Sequence, residues 1–366
     1  MPKTERIVVD PARPDQAALA RAAAVLARGG LVAFPTETVY GLGALALDSA
    51  AVARIFAAKG RPASNPVIVH VHHDSLAREL ADPFTPLAAA LADAFWPGPL
   101  TLVVPRSARV PDVVSAGGPT VALRSPAHPV ALGLLAALGA PVAAPSANPS
   151  GAVSPTSADH VLAGLDGRID LVLDAGPCQL GIESTVVDAT GDFPIVLRPG
   201  SIARDALAFV AARLATRSPS AYDAGLGTRA LSSPVAPPPS SPDARQAAPT
   251  LADGAPPPAR SPGQLARHYA PRTPLTLLTR PQLIEALRER PAAETPAIIW
   301  CGSAPSHPPG AAHSVELPDD PDDYAAQLYA TLHALDGQAS ALWVERPPEG
   351  PAWEALHDRL GRASQR

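Results

Sequence analysis

Residues 35–43 read Pro35-Thr36-Glu37-Thr38-Val39-Tyr40-Gly41-Leu42-Gly43, and the apolar stretch 31–34 runs straight into them. A short apolar run that breaks into hydroxyls and closely spaced glycines marks a strand delivering a loop, as in an α/β domain. Gly41 and Gly43 would let the backbone turn tightly and approach a ligand. The hydroxyls of Thr36, Thr38 and Tyr40 suit a small polar substrate. An ordinary strand-to-helix loop would carry the same residues, so this stretch alone leaves both readings open.

Working outward, strand-like and helix-like patches alternate over the first ~215 residues, which predicts an α/β domain. The spacing predicts strands at 7–10, 31–34, 67–71, 100–104, 120–123, 170–174, 184–188 and 195–197. It predicts helices at 15–28, closed by Gly29-Gly30, and at 49–58, 87–95 and 129–138. Periodicity then stops: ten prolines fall from Pro234 to Pro262 among Ser, Ala and Asp, the composition of a linker. Beyond it, strands are expected at 275–278, 297–301 and 341–344. Helices are expected at 281–290, 322–335 and 353–360. The division is therefore a first domain over 1–216, a proline-rich linker over 217–274, and a small open α/β domain over 275–366.

Hydrophobic residues make up 46% of the 366, enough for a core in each domain. The net charge of −5 argues against a protein that wraps nucleic acid by overall phosphate neutralisation, so any anion site must be local. Cys178 and Cys301 are far apart and lack CxxC partners. They read as two buried thiols in a reducing compartment rather than as a long-range disulfide or metal ligands. The N-terminal MPKTERIVVD has no apolar signal core, and no run approaches the ~18 apolar residues of a membrane span. A cytoplasmic protein with no membrane association is expected.

Several short blocks carry chemistry. Lys59-Gly60-Arg61-Pro62 places a point charge and a planar fork around a glycine, a pair suited to phosphate oxygens; a solvated helix C-terminus reads the same way. Asn65-Pro66 leads into the strand that carries His70, and a lone strand histidine is commonly a core residue. Arg124, at the end of an extended stretch, could clamp a carboxylate or lie on the surface. Pro145-Ser146-Ala147-Asn148-Pro149-Ser150-Gly151 follows the apolar run 141–144 and can present backbone N–H groups to anions. Ser154-Pro155-Thr156 comes next, with Thr156 placed to cap a helix. Ile182-Glu183-Ser184-Thr185 and Leu197-Arg198-Pro199-Gly200 complete the set. Neither a GxxxxGK(S/T) phosphate loop nor a GxGxxG element is present.

In this order, PTETVYGLG, KGRPASNP with VIVHV, WPGPLT, VALR, APSANPSG with SPT, GIESTVVD and LRPGS resemble the Sua5/YciO/YrdC family. They span residues 34–201, nearly the whole first domain. SPGQLARHYAP at 261–271 resembles the linker signature of the two-domain Sua5 type, although Gln264 and Ala266 stand where that signature usually has Met and an aromatic. The segment 347–360 resembles the end of its small C-terminal domain. The resemblance implies a twisted mixed sheet with helices, with a concave positive face, plus that small domain.

It also implies an enzyme that makes L-threonylcarbamoyladenylate from L-threonine, bicarbonate and ATP with Mg²⁺, releasing pyrophosphate. The product would go to a separate transferase complex that modifies adenosine 37 of tRNA. By matching motif, Thr38, His70, Arg124, Ala144 and Ser184 or its neighbour Thr185 would hold threonine. Arg61, Asn65, Thr120, Ser146, Ser154, Arg198 and Tyr269 would face ATP, with Tyr269 as a lid. Lys59, Arg61, Ser146 and Asn148 would form the catalytic KxR/SxN set. No protein metal ligands are implied, and a monomer is expected. A non-catalytic double-stranded-RNA module of the same fold is the main alternative. A hydrogenase-maturation carbamoyltransferase would need zinc-finger cysteines that a chain with two cysteines lacks.

Overall fold

The computed structural model describes residues 3–217, 268–291, 294–305 and 311–365. The first domain is built on the strands β1 (Glu5–Val8), β2 (Val32–Phe34), β3 (Gly41–Leu45), β4 (Ile68–His70), β5 (Leu100–Pro105), β6 (Thr120–Arg124), β7 (Val142–Ala143), β8 (Leu171–Asp174), β9 (Thr185–Asp188) and β10 (Ile195–Arg198). They form one ten-stranded mixed sheet in the order β1-β8-β2-β3-β7-β4-β6-β5-β9-β10. Its helices are α1 (Gln16–Ala27), α2 (Ser49–Lys59), α3 (Asp74–Leu80), α4 (Pro86–Phe95), α5 (Asp112–Ser115), α6 (Pro129–Leu138), α7 (Ala158–Leu165) and α8 (Arg204–Arg217).

Strand parity divides the sheet into two faces. Ala33, Leu42, Val69, Leu102, Leu123, Ala143 and Val187 join the larger core with Val52 and Ile55 of α2 and Leu87 and Leu91 of α4. The alternate residues Val32, Phe34 and Val142 pack against Leu19 and Leu26 of α1 and Leu134 of α6 on the opposite face. Farther along that second face the helices stop. There only a small apolar group, Ile68, Val103, Ala122 and Val186, lies between the strands. This is where a site can form, because among the described residues no helix of the first domain joins that group.

The second domain comprises β11 (Leu275–Leu278), α9 (Arg280–Glu289), β12 (Ala297–Cys301), β13 (His313–Leu317), α10 (Pro321–Leu335), β14 (Leu342–Glu345), a 3-10 turn (Pro351–Trp353) and α11 (Glu354–Ala363). Its four strands pair in parallel in the order β11-β14-β12-β13. Ile298 and Trp300 of β12 face Leu283 and Leu287 of α9. Ala297 and Ile299 face Leu328 and Leu332 of α10 and Leu356 and Leu360 of α11. That last cluster continues into Val39, Val153, Ile182 and Tyr269, so one apolar core crosses between the two parts of the chain.

Several sequence expectations need correction. Residues 41–45 form a strand antiparallel to β2, not a loop. Neither Gly41 nor Gly43 adopts a left-handed φ; a Cβ on Gly43 would lie 2.8 Å from Val142 Cγ1 and 2.9 Å from Phe34 Cε1. Close side-chain packing, not a tight turn, requires glycine there. The first strand stops at Val8 because the Asp10 carboxylate accepts from the backbone N–H groups of Ala12 and Arg13 and turns the chain. The cap of α7 is Ser157, whose hydroxyl accepts from His160 N, whereas Thr156 is buried and its own N–H donates to His160 Nδ1. The edge strand β13 has too few apolar residues to signal itself, and its exposed pattern shows why. Cys178 and Cys301 are buried free thiols. Most of the proline-rich linker, including Gln264 and Ala266, lies outside the described residues.

Candidate active site

On this second face, Arg124 ends β6, His70 ends β4 beside it in register, and Ala144 follows β7. Ser184 directly precedes β9, and Arg198 ends β10. These side chains converge with Thr36, Thr38, Gly41, Arg61, Ile68, Ser146, Glu183, His268 and Tyr269 around one small cavity of about 50 Å³.

At one end, Arg124 is held from three sides. Its Nε donates to Gly98 O at 3.2 Å and its Nη1 to Thr38 Oγ1 at 3.0 Å. Its Nη2 lies 2.7 Å from Glu37 Oε1, an ion pair without hydrogen-bond geometry, and both Glu37 oxygens are otherwise unpartnered. Thr36 Oγ1 lies 2.7 Å from Thr38 Oγ1 and donates to Val39 O at 2.6 Å, which fixes the hydroxyl pair. His70 is buried with Nδ1 unpartnered. Burial and then the charge of Arg124 push its pKa down to about 3, so the imidazole is neutral. Ser184 Oγ lies 2.8 Å from Thr101 Oγ1 and accepts from Arg198 Nη2 at 3.1 Å. Thr185 points the other way, donating to Ile202 O and accepting from Ile202 N. Of these two, Ser184 lines the cavity.

At the other end the cations dominate. Arg61 donates through Nε to Asn65 O at 3.0 Å and through Nη2 to Pro66 O at 2.6 Å. Burial lowers its pKa to about 10, and Arg198 also pushes it down, which leaves it charged at neutral pH. Lys59 does not line the cavity. It is buried and donates to the carbonyls of Ser146 and Asn148, at 2.6 Å to the former. Burial, reinforced by Arg61, holds its ammonium well below the usual lysine range. Lys59 thus ties down the loop that presents Ser146. That loop is also held by Leu42 N–H on Pro145 O, Ala147 N–H on Tyr40 O and Ser150 N–H on Lys59 O, each at 2.8 Å.

Other expected residues lie just outside the cavity wall. Asn148 Nδ2 donates to Pro149 O and Ala152 O while its Oδ1 is unpartnered. Asn65 is buried with both side-chain amide atoms unpartnered. Thr120 begins β6 on the same face as Arg124, four residues or about 13 Å away along the strand. Ser154 is fully buried and donates to Glu183.

Tyr269 covers the cavity. Ala270 N–H donates to Gly151 O at 3.0 Å, so residues next to Tyr269 are bonded to the end of the Ser146 loop. Tyr269 sits at φ 60, the left-handed region that an L side chain rarely adopts. Its ring stacks on Tyr329 with centroids 6.0 Å apart. Beside it, burial drives His268 down to about 3.

Sequence reasoning missed Glu37, Thr101, His268 and the role of Glu183. In the sequence Glu183 stands out only as the neighbour of Ser184. The one available signal was charge: Glu37 and Glu183 are carboxylates inside motifs otherwise built of hydroxyls and apolar residues.

Two family profiles match the chain. One, of the Sua5/YciO/YrdC type and described as telomere recombination, covers residues 24–200. The other, described as threonylcarbamoyl-AMP synthase, C-terminal domain, covers residues 234–365. The chain is 42% identical over 353 residues to a threonylcarbamoyl-AMP synthase of Pyrococcus abyssi, covering 94% of this chain and 93% of the relative. It is 48% identical over 202 residues to a threonylcarbamoyl-AMP synthase of Bacillus subtilis, covering 54% of this chain and 58% of that one. Among solved structures, that of P. abyssi Sua5 complexed with L-threonine superposes with a TM-score of 0.79 at 35% identity over 99% of this chain and 98% of that one.

Proposed function

This chain belongs to the Sua5/YciO/YrdC family, and from that premise we propose that it is an L-threonylcarbamoyladenylate synthase. It joins L-threonine, bicarbonate and ATP and releases pyrophosphate. The observation that carries the reading is the composition of this one cavity. An arginine aligned with neutral His70 and two hydroxyls at one end faces Arg61, Ser146 and Arg198 at the other, under Tyr269.

The chemistry follows from that division. Arg124 offers its fork to the threonine carboxylate. Thr38, neutral His70 and Ser184 offer polar atoms to the amine and hydroxyl, while Ala144 borders the same end. The amine takes up bicarbonate with loss of water, giving an N-carboxylate. An oxygen of that group attacks the α-phosphorus of ATP in line, and the bond to pyrophosphate breaks. Such a step needs positioning and charge stabilisation rather than covalent help. Arg61 and Arg198 supply the charge, and Ser146 supplies a donor on a loop that Lys59 and Asn148 hold. Asn65 and Ser154 flank this end, and Thr120 lies farther along the same face, where it would meet the distal part of the nucleotide. Tyr269 and His268 exclude water from the labile mixed anhydride.

Mg²⁺ enters as part of the substrate, carried on the ATP phosphates. Among the described residues no three His, Cys, Asp or Glu side chains are grouped to hold a metal, and Glu183 is already engaged by protein donors. The adenylate then serves a separate transferase that modifies adenosine 37 of tRNA. The RNA-module alternative asks for exposed cations along a groove. Arg61, Arg124 and Arg198 are instead buried, at 8%, 4% and 4% exposure. No described helix is long and apolar enough to cross a membrane. We place the protein in the cytoplasm, acting as a monomer.

Purified protein with MgATP and bicarbonate is expected to release pyrophosphate only when L-threonine is present, with a product of threonylcarbamoyl-AMP mass. Threonine-independent turnover, or none in folded protein, would sink the proposal.

A further inference from the structure

The second domain reaches the cavity wall through Tyr329 of α10, which bonds Glu183 and stacks on Tyr269, and through Arg359 of α11. Arg359 of α11 is buried to 1% exposure. Its Nε donates to Glu183 Oε2 at 2.7 Å, its Nη2 to Pro199 O at 3.0 Å and its Nη1 to Asp358 Oδ2 at 2.6 Å. Its guanidinium also lies 5.0 Å from the centre of the Tyr269 ring. Glu183 in turn accepts from Ser154 Oγ and from Tyr329 Oη, the latter 3.1 Å from Oε2.

Apart from the bond to Asp358 within α11, these contacts end at the Arg61 side of the cavity or on its cover. Pro199 adjoins Arg198, Tyr269 is the roof, and Ser154 belongs to the segment after the Ser146 loop. At the other end, Thr38 and Arg124 are fixed by Gly98, Glu37 and Thr36, and Ser184 by Thr101 and Arg198, all within the first domain. The docking is also close: Gly181, at φ 72, has space for no Cβ because Ala325 O of α10 would lie 2.4 Å away.

The charges make the arrangement consequential. Glu183 lines a cavity that must receive phosphates, and an unpaired carboxylate there would repel them. Burial raises its pKa, but Arg359, Arg198 and the Ser154 hydroxyl outweigh burial and bring it to about 2. It is therefore an anion that needs an internal partner.

We propose that Arg359, contributed by the second domain, is a positioning residue for ATP: it neutralises Glu183 and locks Ser154, the Pro199 turn and Tyr269 around the nucleotide end of the cavity. The inference rests on the ATP and threonine reading above.

The test uses the full chain and measures threonine-dependent pyrophosphate release, alongside calorimetric binding of L-threonine alone. If the wild-type protein shows no threonine-dependent release, the parent reading fails, whatever the variants do. Given an active wild type, Arg359→Met is expected to raise the KM for ATP at least about tenfold while threonine binding stays within about twofold. Arg359→Lys keeps the charge but not the fork, and is expected to show an ATP KM about threefold to tenfold above wild type. Adding Glu183→Gln to Arg359→Met removes the uncompensated carboxylate and is expected to restore part of the lost ATP affinity. A folded Arg359→Met protein with unchanged ATP KM, or one losing both ligands equally, overturns the proposal. If Arg359→Met does not fold, Arg359→Lys decides: an ATP KM equal to wild type overturns it.

Discussion

Arg124 shows how one residue depends on neighbours that the motif alone does not rank. Its charge is balanced from behind by Glu37, and its fork is aimed by Gly98 O and Thr38 Oγ1. Arg124→Lys keeps a cation beside Glu37 but loses the planar pair of donors. Threonine affinity should fall at least about tenfold, with a melting temperature within about 3 °C of wild type; calorimetry and a thermal melt on one sample measure both. A variant that binds threonine normally would remove Arg124 from the site. At Gly43 the constraint is volume. Gly43→Ala drives a methyl into Val142 and Phe34 and should destabilise the fold by about 1–3 kcal/mol, read from urea unfolding midpoints.

At the scale of elements, strand parity places the chemistry. Residues 120, 122 and 124 of β6 share a face, as do 68 and 70 of β4, and 121, 123 and 69 go to the core beneath. A strand slipped by one residue would turn Arg124 into the apolar core beneath. The Ser146 loop has no regular structure of its own and depends on Lys59 at the end of α2. Lys59→Met leaves the Ser146 and Asn148 carbonyls without their side-chain donor. The expected cost is about 2–3 kcal/mol of stability, together with a raised KM for ATP as Ser146 loses its position. Chemical denaturation and ATP titration of the turnover rate check the two halves of that expectation. Unchanged values for both would mean that the loop is held by its backbone bonds alone.

At the scale of the whole molecule, charged and titratable groups are buried where the two domains and the cavity meet. His70 and His268 have pKa values near 3, against an ordinary value near 6.5. Between those limits the unfolded chain binds protons that the folded chain does not. Folding stability is therefore full above about pH 6.5 and falls as the pH drops toward 3, by up to about 1.4 kcal/mol per pH unit for each histidine. Glu183, lowered to about 2, adds a further loss below its ordinary range of about 4.3. Denaturant unfolding at pH 7.5, 6 and 5 should show this slope, and His70→Gln should flatten it by about one proton's share. An identical pH profile for wild type and variant would show that His70 does not stay neutral in the fold.

The sequence by itself determined the α/β class of both domains, most of their strands, the blocks that carry polar chemistry and the identity of the family. Those properties are local: period-two and period-3.6 patterns, glycine and proline breaks, and short ordered motifs survive without knowledge of contacts. It also placed Tyr269 near the site, through a resemblance rather than a pattern. Only the tertiary structure decided that Gly41 and Gly43 lie in a strand, that Ser184 and not Thr185 faces the cavity, and that Lys59 supports the loop from below. The same holds for the pairing of Glu37 with Arg124 and of Glu183 with Arg359. These are contacts between residues 87 and 176 positions apart, and burial turns each from an unremarkable charge into one that must find a partner. A sequence records that such charges exist; which of them meet is set by how the sheet stacks its strands and where the second domain docks.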